Sequence, residues 1–65
     1  MIDIPKLNFN IGEVVIGQQN RKVFVADVIY SMVEKDWLVI YHSLDEKDII
    51  YGTYTLNLDT FMLGL

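Results

Sequence analysis

Arg21-Lys22-Val23-Phe24-Val25-Ala26-Asp27-Val28-Ile29-Tyr30-Ser31-Met32-Val33 is the stretch whose pattern decides the fold class. Its even positions, Phe24, Ala26, Val28, Tyr30 and Met32, are all apolar. Its odd positions mix Val23, Val25, Ile29 and Val33 with Asp27 and Ser31. A period of two built from β-branched and aromatic residues signals a strand, because successive strand side chains point to opposite faces. Immediately downstream, Glu34-Lys35-Asp36 reads as a charged tight turn. Trp37-Leu38-Val39-Ile40-Tyr41-His42-Ser43 is then a strand apolar on both sides. Leu44-Asp45-Glu46-Lys47-Asp48 is a second charged turn, and Ile49-Ile50-Tyr51-Gly52-Thr53-Tyr54-Thr55 a further strand. Strands joined by short polar turns predict an antiparallel meander.

Upstream, Phe9 to Gly17 forms an entry strand flanked by glycines, followed by the polar connector Gln18-Gln19-Asn20. Met1 to Asn8 reads as an extended arm. Pro5 excludes a helix there, and Ile2, Ile4 and Leu7 give the arm apolar surface to bury along a sheet edge. At the other end the period changes. Leu58, Phe61, Met62 and Leu65 stand at i, i+3, i+4 and i+7, a helical stripe. Asn57 is placed to cap it, and Asp59 to meet the positive end of its dipole.

Turns centred on Lys35 and Glu46 would pair Ser31 with Val39 and Ile29 with Tyr41, then Tyr41 with Tyr51 and Val39 with Thr53. One face then carries Val28, Tyr30, Met32, Leu38, Ile40, His42, Ile50, Gly52 and Tyr54. As the more uniformly apolar side it is expected to be the core, with Ile40 and Phe24 among its supports. The opposite face carries Ile29, Ser31, Val33, Trp37, Val39, Tyr41, Tyr51, Thr53 and Thr55. A slip of one residue would exchange the two faces.

From Phe9 to about Leu63 the chain resembles SH3-like small β-barrels, the broad group that includes Tudor modules. The likeness rests on Phe9-x-x-Gly12-x-x-Val15 at the entry, on the central meander, and on the last strand running through Gly52 into Leu56-Asn57-Leu58-Asp59-Thr60-Phe61. It implies an all-β domain: a small SH3-like barrel of about five antiparallel strands with a short C-terminal helical turn. The chain departs from peptide-binding SH3 domains in having no paired tyrosines in an early strand and no acidic loop before a double tryptophan. It also lacks the four-aromatic loop cage of Tudor readers.

Sixty-five residues make one small domain, spanning 1–65 with 1–8 as the arm. Apolar residues are 52% of the chain, too many for intrinsic disorder. They include Trp37, four Tyr and three Phe, more than a core of this size holds, so a second apolar face must meet the arm, another chain or water. With no cysteine there is no disulfide framework or zinc-thiolate site, and one histidine forms no metal cluster. Nine acidic against five basic side chains give a net charge of −4. That balance disfavours a nucleic-acid partner, because phosphate binding draws on clustered cations. The longest uncharged stretch, Ile49 to Leu58, is shorter than the ~20 residues of a membrane-crossing helix. Met1-Ile2-Asp3-Ile4-Pro5 lacks the basic and apolar regions of a signal peptide, which leaves the cytoplasm as the expected location.

Chemistry-bearing residues are few. His42 and Ser43 adjoin, but neighbours on a strand face opposite ways. Asp45, Glu46 and Asp48 lack the spacing of a calcium loop and read as a solvated turn. Asp27 interrupts an apolar strand, which suits an outward face or an edge guarded against strand addition. No catalytic residue, metal ligand or cofactor-binding residue is singled out. The constellation with functional promise is aromatic: Trp37, Tyr41 and Tyr51, with Ile29 and Val39 beside them, because Trp and Tyr bury large areas with few rotors. The expected function is therefore a non-enzymatic protein-interaction module. It would self-associate into a homo-oligomer, or dock on a protein partner, through that aromatic sheet face. A nucleic-acid-associated small barrel, using Arg21, Lys22 and the aromatic row, is the alternative.

Overall fold

The computed structural model describes residues 5–65; the first half of the arm, Met1–Ile4, lies outside the described residues. Four strands pair in chain order into one antiparallel sheet: β1 (Val14–Ile16), β2 (Lys22–Ser31), β3 (Asp36–Leu44) and β4 (Ile50–Asn57). A short helix, α1 (Leu58–Leu63), follows β4 directly. The chain is thus mostly β, with the expected meander and C-terminal helical turn. The sheet is open: among the described residues β1 pairs with β2 and β4 with β3, with neither a fifth strand nor closure into a barrel.

The turns set the register. Within the five-residue connection between β1 and β2, Gln19 and Asn20 both take positive φ (60° and 58°), as the central pair of a type I′ turn requires, and Arg21 N donates to Gln18 O at 3.3 Å. Between β2 and β3 the loop holds four residues, Met32–Lys35. Lys35 closes it at φ 55°, donating its N–H to Ser31 O at 2.8 Å, while Glu34 N donates to Ser31 Oγ at 3.0 Å. Between β3 and β4, Asp45 Oδ1 accepts from Lys47 N (2.8 Å) and Ile49 N (2.9 Å), and Asp48 turns the chain at φ 62°. Upstream of β1, Gly12 sits at φ +87°, a region L side chains avoid, with its N–H donating to Val25 O at 2.8 Å.

These loops correct the expected pairing. Val39 meets Val28 rather than Ser31, and Leu56 rather than Thr53, so each hairpin is displaced by three residues. Tyr41 pairs with Val25 on one side and Tyr54 on the other, not with Ile29 and Tyr51. An odd displacement transfers a strand's side chains to the other face. A bulge in β2 adds to the effect. Ala26 is the extra residue between the Val25–Tyr41 and Asp27–Ile40 pairs. The inward set therefore changes parity along one strand, from Val23 and Val25 to Val28 and Tyr30.

The core lies on the face expected to be outward. It consists of Val23, Val25 and Val39 from the sheet, covered by Phe9, Leu58 and Phe61, with Val25 and Val39 wholly shut off from solvent. Phe9 and Phe61 meet edge to face, centroids 5.2 Å apart. Leu7, Val15, Trp37, Tyr41, Leu56 and Met62 pack around them. The described part of the arm therefore lies beside α1, where Asn8 Nδ2 reaches Met62 O at 3.5 Å. Asn57 caps α1 as expected, its Oδ1 accepting from Asp59 N (3.0 Å) and Thr60 N (3.3 Å). This local cap aims Leu58 and Phe61 into the sheet.

Candidate functional site

Register and bulge together sort the sheet's side chains into two unlike faces. The covered face carries Val15, Val23, Val25, Val28, Tyr30, Trp37, Val39, Tyr41, Tyr54 and Leu56, beneath α1 and the Leu7–Phe9 segment. The other face carries Val14 and Ile16 from β1, Phe24 and Ile29 from β2, Leu38, Ile40, His42 and Leu44 from β3, and Ile50, Thr53 and Thr55 from β4. None of these belongs to the buried core. Val14, Ile16 and Ile50 are about half exposed (49%, 53% and 54%). Phe24, Leu38, Ile40 and Leu44 are half-buried.

The five residues expected to form one contact face are therefore divided. Val39 is wholly buried at the centre of the covered face. Trp37 lies beside it, its ring edge-on to Tyr30 at 5.4 Å. Tyr41 packs on Phe61 at 5.3 Å and on Tyr54 at 5.6 Å. Ile29 lies on the opposite, uncovered face. Tyr51 is exposed at an irregularity of β4, between the Ser43–Gly52 and Leu44–Ile50 pairs. Trp37, Val39 and Tyr41 do come together, but beneath the helix, with Val39 sealed from any partner.

The uncovered face takes Phe24, Leu38, Ile40, His42 and Ile50 from the set expected in the core, whereas Val28, Tyr30 and Tyr54 of that set lie on the covered face. The signal for it was present: β3 is apolar on both sides, so one side had to be left over. Which side was hidden in two loop lengths and one bulge. On this face Phe24 and His42 stack nearly parallel (centroids 6.1 Å, planes 10° apart), and His42 Nδ1 lies 2.8 Å from Thr53 Oγ1. Beside them Val14, Leu44 and Ile50 line a shallow hollow of about 410 Å³. Charged groups are confined to the margins. Lys22 Nζ and Asp48 Oδ1 form an exposed ion pair at one end (2.8 Å), and Asp36 with Asn57 closes the other. Asp27 sits at the bulge on the β2 margin, its Oδ1 accepting from Val28 N at 2.8 Å.

A second hollow, about 530 Å³, lies on the covered side between Tyr41, Ser43 and Leu56 of the sheet and Phe61 and Leu63 of α1, with Arg21 at its rim. Asp45, read as a solvated turn residue, anchors its turn through two backbone N–H groups. Among the described residues no three His, Cys, Asp or Glu side chains are grouped to hold a metal ion, and no helix is long and apolar enough to cross a membrane. No known protein family, curated protein or solved structure matches the chain.

Proposed function

We propose that this chain is a non-enzymatic protein-interaction module that self-associates through the uncovered face of its sheet. One observation carries the reading: Val14, Ile16, Phe24, Ile29, Leu38, Ile40, Leu44 and Ile50 share a face, with His42 among them and Asp27 at its β2 edge, that lies outside the buried core. At ~3.3 Å per residue and ~4.8 Å between strands, such a face measures roughly 500 Å² in plan. Two copies then bury about 1,000 Å², the size at which specific interfaces begin. Charge favours a second copy as the occupant. Each chain carries −4, yet the carboxylates near this face stand at its rim, so two identical faces meet without burying like charges at the centre. Kinship with SH3-like small barrels belongs to the same proposal. The order of strands and the helical turn support it.

Ile40→Lys tests the reading. Ile40 lies directly across from Asp27, so the new ammonium gains a neighbouring carboxylate within the chain and the fold survives. In a face-to-face pair it loses the water that solvates it in the single chain. Sedimentation equilibrium of the native chain is expected to show a dimer at tens of micromolar. The variant should dissociate about a hundredfold more readily, with an unchanged circular dichroism spectrum. A native chain that stays monomeric at high micromolar concentration overturns the proposal.

A further inference from the structure

The two margins of the sheet are built differently. On the β1 side three devices that discourage strand addition are present. β1 is only three residues long, and the margin of β2 beyond it carries the Ala26 bulge and the exposed carboxylate of Asp27. β4, the other margin, has one of them, the irregularity at Tyr51 near its start, and is regularly paired from Gly52 to Asn57. It runs for eight residues, Ile50-Tyr51-Gly52-Thr53-Tyr54-Thr55-Leu56-Asn57, without a charge or a proline, and five of the eight are exposed. Its backbone bonds go to β3; among the described residues no other segment pairs with it. Every second residue of an edge strand turns both N–H and C=O outward, so the regular stretch from Gly52 to Asn57 offers about six unpaired groups.

Charge chooses the occupant. Asp45, Glu46 and Asp48 precede β4 and Asp59 follows it, against Lys47 and the Lys22 already paired with Asp48. An antiparallel second copy would bring the acidic turn of one chain toward Asp59 of the other at both ends. An uncharged strand flanked by cations meets opposite charge at both ends instead. We infer that the free edge of β4 accepts, by strand addition, an extended uncharged segment of a protein partner bounded by Lys or Arg. This edge borders the self-association face, which Thr55 shares, but it uses the outward backbone of β4 rather than the face's apolar side chains, so its failure leaves that face untouched.

The probe is a synthetic peptide of six alternating Thr and Val residues with two Lys at each end, added to the full chain. Binding is expected to slow hydrogen exchange at backbone amides of β4 and to leave those of β1 unchanged. The same peptide with Glu in place of Lys should bind about tenfold more weakly. A version with Pro in place of Val, which cannot donate to a ladder, should not bind. Thr55→Lys, which puts a guarding cation on the edge, should weaken the Lys-flanked peptide several-fold, whereas Ile40→Lys should bind it like the native chain. Protection absent from β4, or equal binding by the proline peptide, overturns the inference. If Ile40→Lys abolishes binding while Thr55→Lys does not, the peptide sits on the apolar face and the edge assignment is wrong.

Discussion

The two faces of the sheet are almost equally apolar, yet one is a core and the other a surface. Trp37, Val39 and Tyr41 alternate with Leu38 and Ile40 along the same strand. Hydrophobicity alone does not rank the two sets. What separates them is the supply of covering groups. Phe9, Leu58 and Phe61 are enough to close one face of a small sheet, and they close the one carrying Val25 and Val39. The contrast teaches that in a domain this small an apolar face is core only where the chain has something left to lay over it.

The sharpest way to break the comparison is to remove a cover. Phe61→Ala deletes the ring that touches both Phe9 and Tyr41 and should cost about 3–5 kcal/mol in urea unfolding. A 65-residue domain has roughly 3–10 kcal/mol in total, so this variant is expected to be largely unfolded. Ile40→Ala, measured at a concentration where the chain is monomeric, should cost only about 1 kcal/mol, because that side chain is partly exposed and lies outside the buried core. Equal losses in the two variants would show that the second face is covered as well. The Ile40→Lys effect on association, about a hundredfold in Kd, ranks between those two losses.

Smaller effects sharpen the picture of how the cover is held. Asn57→Ala removes the Oδ1 acceptor of two helix N–H groups and the contact with Asp36. It should cost about 1 kcal/mol, read as a lower thermal midpoint with Trp37 fluorescence following the same transition. A red-shifted Trp37 spectrum before unfolding would mean that α1 lifts away on its own. Smallest of all, Lys22→Met should change stability by less than about 1 kcal/mol, because the Lys22–Asp48 pair is exposed on both sides. A larger loss that vanishes in high salt would indicate that this pair holds the end of the uncovered face more firmly than its exposure suggests.

Several elements were legible before any coordinates. Asn57 as cap, with Leu58 and Phe61 on one helical stripe, is a local pattern whose partners lie within four residues, and the structure follows it. The central strands are equally local, because alternation within ten residues does not depend on what packs against them. Asp45 and its neighbours announced a turn through short polar side chains able to bond the backbone. The candidate site was less legible. Ile29 was placed with Trp37, Val39 and Tyr41 because an uninterrupted strand keeps its parity, and Ala26 gives no sign that it is bulged. Met32 and Val33 looked like strand residues, yet both belong to an exposed four-residue loop ending in Lys35, a residue with no special liking for positive φ.

By itself, then, the sequence determined the elements: strands where β-branched and aromatic residues alternate, turns where charges cluster, a capped helical turn at Asn57, and more apolar surface than one core can use. These follow from backbone sterics and short-range hydrogen bonding. The tertiary structure alone decided which apolar face became the inside. That choice depends on a bulge at Ala26, on one more loop residue than the charged turn suggests, and on where Phe9 and Phe61 meet. Each is a long-range packing outcome, and a displacement of three residues in pairing is enough to exchange the two faces of β3 relative to its neighbours.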